Sequence, residues 1–341
     1  MTDCASTAST TPTLRVRGPG DLIELVPYLL GFVPARSLVL VGLTAAPAPS
    51  VAVTMRLDLI AAARPLARAD CVRALRTAAA AAVVLIVYVD DAAAALTGSE
   101  LPAVESTLAA DSRVVDGIAS ATAEAGVEVA DALVVGGGRW RSLLCGNPAC
   151  CPAEGLAIAG PSEPSNVMVA ATVAGLSALP DRAALESALA PEAAALREPV
   201  ATAIRGAVLD LGRARALWSA AVDAHRRPAT AIEASAAASM LVALGDIEYR
   251  DWCCAWADAG DPADAVAAES VARSLARLAT APHAAAAYTL LAWLAWRRGD
   301  GTTARIAADH AIDSDSGYPL AVLIGQALDC AIDPRRCMDA P

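Results

Sequence analysis

The segment GGGRWRSLLCGNPACCPAEG, residues 136–155, marks the place where the sequence changes character. Before it, short β-branched runs alternate with helical patterns, and after it the pattern is almost entirely that of alanine-rich helices. The sequence therefore predicts an α/β domain of residues 14–160 followed by an all-α domain of residues 161–335. Residues 1–13 are rich in serine and threonine, and we expect a disordered leader there.

Three cysteines of this segment, Cys145, Cys150 and Cys151, fall within seven positions. The Asn-Pro pair and the flanking prolines favour a tight, non-helical loop. Zinc prefers four cysteine or histidine ligands, whereas the loop offers three thiols and has no histidine nearby in sequence. Three interpretations stay open: a structural zinc site completed by a distant ligand, a redox pair between Cys145 and Cys150 or Cys151, and a loop whose thiols fill a small pocket.

Three consecutive glycines precede the cysteines and are followed by the strand-like alternation of residues 139–142. This pattern predicts a turn between two strands, although consecutive glycine amides can also converge on an anion. The candidate ligand-binding residues are Arg56, Gly137, Gly138, Arg139, Trp140 and Arg141.

The N-terminal half contains four clear strand patterns separated by helical ones. The strands are expected at 37–43, 51–59, 83–89 and 127–135, and the helices at 22–30, 61–82 and 99–125. The first two strands are separated by a proline-rich turn and should form an antiparallel hairpin. Residues 83–89 are apolar on both faces, which is typical of a central strand. The order β-β-α-β-α-β predicts a mixed sheet.

Acidic residues near strand ends are the candidate catalytic groups. Asp90 and Asp91 directly follow the central strand, where open α/β sheets place their ligands. Asp58 shares a strand face with Arg56. The alternatives are that Asp90 and Asp91 cap a helix and that Asp58 and Arg56 form a surface ion pair.

The C-terminal half reads as helices throughout. They are expected at 166–178, 181–190, 192–226, 229–244, 246–258, 262–279, 283–298, 301–313 and 317–331. Within the pair 283–298 and 301–313, Ala292, Gly299, Ala304 and Ala311 match the small-residue spacing of a tetratricopeptide-like unit. Only one such unit is clear, so we expect a helical bundle with a repeat-like end. Tyr288, Trp293 and Trp296 of this pair are interpreted as core residues.

Composition excludes several mechanisms. All 26 basic residues are arginine, so enzymes that need a lysine, such as pyridoxal-phosphate enzymes and P-loop nucleotidases, are not expected. The net charge of −11 argues against binding to nucleic acid or to an anionic membrane. Residues 78–89 form the longest apolar run and are too short to span a bilayer. The N-terminus lacks a signal-peptide pattern, so a cytoplasmic location is expected, where scattered cysteines such as Cys253 and Cys254 are buried thiols.

Several stretches together resemble a largely actinobacterial family, domain of unknown function 4192. They include PGDLIELVPYLLGFVPARSLVLVGL at 19–43, MRLDL at 55–59, GGRWRSLLCGNPACCPAEG at 137–155 and VAGLSALPDRAAL at 173–185. The resemblance spans almost the whole chain and implies no known activity. Gly18 stands where such families often place a serine cap, and Arg141 stands where a second aromatic residue is usual.

Two hypotheses for function follow. The favoured one is a non-catalytic interaction or regulatory protein whose helical domain docks a protein partner. The alternative is an enzyme with an anion-binding pocket at the end of the sheet, in which Asp90, Asp91 or Asp58 acts as acid, base or metal ligand and Arg139 or Arg141 holds the anion.

Overall fold

A computed structural model describes residues 15–89, 101–160, 164–226 and 231–334. The chain divides into two compact units, one of Leu14–Ala184 with Asp329–Asp333 and one built mainly from Leu185–Leu328. The predicted α/β architecture followed by helices is confirmed. The domain limits expected from the sequence, 14–160 and 161–335, stay a prediction.

The first unit is built on a mixed sheet of six strands in the order β2-β1-β3-β4-β5-β6. The strands are β1 Ser37–Leu43, β2 Val51–Asp58, β3 Ala82–Tyr88, β4 Glu128–Gly136, β5 Arg139–Ser142 and β6 Leu156–Ala157. The pair β3-β4 is parallel and every other neighbouring pair is antiparallel. The predicted β1-β2 hairpin is confirmed.

Helices cover both faces of this sheet. Its helices are α1 Pro19–Leu30, α2 Leu59–Ala62, α3 Pro65–Thr77, α4 Leu101–Glu124 and α5 Asn166–Val173. One face packs its apolar residues, such as Leu85 and Val87, against α3 and α4. Trp140 lies on the other face, since it pairs with Val135, and a Cβ placed on Gly20 of α1 would lie 3.7 Å from its ring. Because side chains alternate between the two faces of the sheet, helices can pack on both faces, and the unit has three layers.

Two expected helices are each divided in the structure. The helix predicted at 61–82 is α2 followed by α3, because Pro65 cannot continue a helix and instead begins a new one. The helix predicted at 192–226 is also wrong as a single element. Its chain is extended at Ala207, and Asp210 begins the second part by accepting a hydrogen bond from the Arg213 amide at 2.9 Å.

The second unit is helical. Its helices are α6 Arg182–Leu189, which begins at the end of the first unit, α7 Ala194–Gly206, α8 Leu211–His225, α9 Ala234–Ala243, α10 Ile247–Cys254, α11 Pro262–Leu278, α12 Ala284–Arg297, α13 Gly301–Ser314 and α14 Pro319–Asp329, with a 3-10 helix at Ala255–Asp258. No helix in the described part of the chain is long and apolar enough to cross a membrane.

Large buried side chains fill the core of this helical unit. Tyr249 donates to the Ala214 carbonyl at 3.2 Å, and Tyr288 donates to the Leu189 carbonyl at 2.9 Å. Trp296 is buried as predicted, whereas Trp293 is half-buried. The buried alanines at 292, 304 and 311 allow close packing of α12 on α13. A tetratricopeptide-like character of this pair stays a prediction.

Candidate metal centre

The segment 143–155 returns the chain from β5 to β6, and we call it the Cys loop. Asn147 shapes its turn: the side-chain oxygen accepts from the Ala149 amide at 3.0 Å. The main-chain oxygen of Asn147 accepts from the amides of Cys150 and Cys151 at 3.1 and 2.8 Å. This compact turn folds Cys150 and Cys151 back toward Cys145.

The three thiols converge in space. The Sγ atoms of Cys145, Cys150 and Cys151 all lie within 4.8 Å of one another. Cys150 is exposed and the other two are partly exposed, and all three are free thiols. Among the described residues, this is the group of cysteine, histidine and acidic side chains with the spacing of a metal site. Three soft thiolate donors suit zinc or another thiophilic ion.

The three sulfur atoms are not equivalent. Hydrogen bonds to the Cys145 sulfur, first from the Asn147 backbone and then from the Cys151 thiol, lower the pKa of Cys145. Hydrogen bonding with Cys151, together with the charge of that thiol, raises the pKa of Cys150. Cys145 is therefore the thiol that ionises before Cys150, and a metal ion would meet a thiolate there first.

Ser142 and Asp131 support the start of the loop. The Ser142 hydroxyl donates to Asp131 Oδ1 at 2.6 Å and accepts from the amides of Leu144 and Cys145, both at 3.1 Å. Asp131 Oδ1 also accepts from the Ala132 amide at 2.8 Å. Sequence reasoning missed both residues. The available signal was an acidic side chain in the middle of an otherwise apolar strand, where burial demands a partner.

Arg139 and Gly155 hold the far end of the loop. The Arg139 guanidinium donates to the carbonyl oxygens of Glu154 at 2.7 Å and Gly155 at 2.8 Å. Gly155 has a φ of +73°, and a Cβ there would lie 2.8 Å from the Trp140 carbonyl oxygen. Only glycine fits this position. Arg139, predicted as a ligand-binding residue, is here a brace of the Cys loop.

Of the other predicted ligand-binding residues, Arg56 lies on β2, and the rest lie at the β4-β5 turn or on β5. Gly137 and Gly138 have φ values of 58° and 70° in a two-residue hairpin, which confirms the predicted turn. Arg141 lies on β5 and makes no hydrogen bond to the described residues of the Cys loop. Binding of an anion by this region stays a prediction.

The acidic candidates do not share a place with the Cys loop. Asp58 pairs with Arg56 at 2.6 Å at the end of β2, and Arg56 also donates to the Ser37 hydroxyl at 2.7 Å. β2 and β5 are separated by four strand spacings, or roughly 19 Å at about 4.8 Å each. Asp90 and Asp91 lie outside the described residues, so their catalytic role stays a prediction.

Comparison with protein-family models gives a match over most of the chain. The model described as Domain of unknown function (DUF4192) matches residues 19–335. This chain belongs to the DUF4192 family. The matched range includes the whole Cys loop and the helices of the second unit through α14. Searches of curated proteins and of solved structures give no match. A function for this DUF4192 protein must therefore be argued from its own geometry.

Proposed function

We propose that this DUF4192 protein is a non-catalytic, zinc-binding interaction protein. In this proposal the Cys loop holds one zinc ion, and the helical unit docks a protein partner. The observation that carries the proposal is the convergence of Cys145, Cys150 and Cys151, whose sulfur atoms lie within 4.8 Å of one another.

The donor set favours zinc. Thiolates are soft ligands that bind zinc at about 2.3 Å, and three of them at this spacing can surround one ion after small rotations of their side chains. The lowered pKa of Cys145 supports binding near neutral pH, because a cysteine must lose its proton to become a ligand. Free thiols also fit a reducing compartment, so we place the protein in the cytoplasm.

Docking of a partner is assigned to a surface that we call the aromatic face, formed by Trp252, Trp256, Trp293 and Arg215. The rings of Trp252 and Trp256 meet edge to face at 6.0 Å. The Arg215 guanidinium lies 5.6 Å from the ring centre of Trp252, and the buried Arg297 guanidinium lies 6.0 Å from that of Trp293 and supports it from within the unit. All three tryptophans are half-buried. Tryptophan and arginine contribute most of the binding energy in many protein interfaces. The acidic net charge argues for a protein partner over nucleic acid.

Native mass spectrometry tests the proposed zinc site. Protein purified without chelator should carry one zinc ion, and a chelator should remove it. Cys145→Ser should be isolated without metal, whereas Cys330→Ser, which changes an exposed cysteine outside the loop, should keep it. Equal metal content in the two variants would refute the zinc site.

Photocrosslinking tests the docking of a protein partner at the aromatic face. A benzophenone amino acid at position 256 of the full chain, expressed in its source cells, should give a discrete crosslinked partner. The matched control places the same group at Leu196, an exposed residue of α7 outside the aromatic face. Identical products from both positions would argue against docking at this face.

A further inference from the structure

We propose that the zinc ion of the Cys loop has an open fourth coordination position that binds a neutral nitrogen or oxygen donor from outside the chain, such as an imidazole. This inference rests on the proposed zinc site and names the ligand that completes it. It separates this centre from a closed structural zinc site, in which four protein ligands surround the ion.

The composition of the cluster is the first argument. Cys145, Cys150 and Cys151 supply three donors, and no further cysteine, histidine or acidic side chain of the described residues joins the group. Asp131 is the acid whose charge acts on Cys145. Its Oδ1 is already held by the Ser142 hydroxyl at 2.6 Å and by the Ala132 amide at 2.8 Å. Asp131 lies outside the group of converging donors and supports the loop through this oxygen.

Hydrogen bonds within the chain already fix the shape of the loop. Amides of the loop are bonded to Asn147 and to Ser142, and its far end is held by Arg139. Closed structural zinc sites in small modules commonly fold only when the metal binds. A loop already held by its own hydrogen bonds does not need a fourth protein ligand to fix its shape.

Accessibility is the third argument. Cys150 is exposed, and Leu143 and Leu144 beside the cluster are 39% and 61% exposed. An incoming donor can therefore approach the ion directly.

Charge selects the class of ligand. Three thiolates and one Zn²⁺ ion give a net charge of −1, and a fourth anionic donor would add repulsion. A neutral imidazole or water adds none. Binding forms one bond from zinc to the incoming nitrogen and releases a water molecule from the same position, without any change of oxidation state.

Optical titration of the cobalt-loaded full chain tests this proposal. Co²⁺ replaces zinc as a coloured probe, and its thiolate charge-transfer band reports the number of bound sulfurs. Imidazole is then added as the external donor. We expect the visible ligand-field bands to shift and saturate at one imidazole per Co²⁺, while the charge-transfer intensity stays that of three thiolates. Cys330→Ser should behave as the wild type.

The other outcomes have distinct meanings. If the ligand-field bands do not change when imidazole is added, the proposal of an open position is wrong, although the metal site remains. The same conclusion follows if the charge-transfer intensity is that of four thiolates before imidazole is added. Loss of the charge-transfer band on addition of imidazole would also overturn it, since the donor would then replace thiolates. A chain that shows no cobalt-thiolate band at all would refute the proposed zinc site itself.

Discussion

Adjacent cysteines occur twice in this chain, in opposite surroundings. Cys150 and Cys151 of the Cys loop are at least partly exposed and converge on Cys145, whereas Cys253 and Cys254 are buried at the end of α10. A proline-containing loop presents its thiols to solvent, while a packed helix uses the same residues as small apolar side chains. The local backbone, more than the spacing of the cysteines, decides whether a thiol can act as a ligand.

The largest expected effect is on thiol reactivity. Burial raises the pKa of Cys254 to about 12, so at pH 8 roughly one thiol in 10,000 is ionised there. The pKa of Cys145 is instead lowered, chiefly by the Asn147 backbone hydrogen bond. Iodoacetamide should therefore alkylate Cys145 of chelator-treated native protein at least roughly 1,000-fold faster than Cys254. Peptide mass mapping over time measures both rates, and equal rates would remove the contrast between the two pairs.

A second prediction concerns the core of the helical unit. Trp218 of α8 is fully buried, so Trp218→Ala should lower the free energy of unfolding by about 3–5 kcal/mol. Trp256→Ala changes a half-buried ring and should cost about 1 kcal/mol or less. Urea unfolding followed by circular dichroism compares the two variants. Similar losses would show that Trp256 belongs to the core and would weaken its assignment to the aromatic face.

The third prediction concerns the support of the Cys loop. Ser142→Ala removes the acceptor for two loop amides and the donor to Asp131. Side chains that orient metal ligands typically change metal affinity by about 10–100-fold when removed, and we expect zinc binding to weaken by that factor. Competition with a coloured chelator measures the dissociation constant. Arg141→Ala is the matched control on the same strand, and a similar loss there would contradict the role given to Ser142.

The smallest expected effect is a pH dependence in the helical unit. Burial, followed by the charge of Glu269, raises the pKa of Asp300, which begins α13 by accepting from the Thr303 amide at 2.9 Å. An acid with a raised pKa in the folded state stabilises the fold below its unfolded pKa, and this contribution is lost as the pH rises through the folded pKa. Asn cannot ionise but can still accept that bond. Asp300→Asn should therefore be more stable than the wild type at pH 7 and should differ little from it near pH 4.

Urea unfolding at the two pH values measures this difference. Both side chains can accept the hydrogen bond from the Thr303 amide, and asparagine and aspartate begin helices about equally well. The difference in stability between the two proteins therefore reports the charge of residue 300 and not a change in helix capping. A variant that is less stable than the wild type at pH 7 would show that the charge of Asp300 is needed by Arg273.

Much of the fold was accessible from the sequence because it depends on local signals. The range 37–43 for β1 follows from a β-branched apolar run, and the start of α11 follows from Pro262 after Asp261. In contrast, the break at 207–210 was missed, although Gly206 ends α7 and Asp210 begins α8, because a single glycine within a helical pattern does not by itself end a helix. The two-residue strand β6 exists only through pairing with β5.

The candidate site also combines features that the sequence predicts with contacts that it does not. Cysteine spacing predicted the thiol cluster, because three cysteines in seven positions must lie close together. The contact between Ser142 and Asp131 depends on the register that places Ser142 opposite Leu133 of β4, and sequence alone does not give that register. The role of Arg139 as a brace likewise depends on where the loop returns to the sheet.

X-ray absorption spectroscopy at the zinc edge, on the zinc-loaded full chain, tests the central claim most directly. A three-thiolate centre with an open position predicts three sulfur neighbours at about 2.3 Å and one nitrogen or oxygen neighbour at about 2.0–2.1 Å. Four sulfur neighbours would show a closed centre, and a spectrum with nitrogen and oxygen neighbours but no sulfur would show that the Cys loop does not bind the ion.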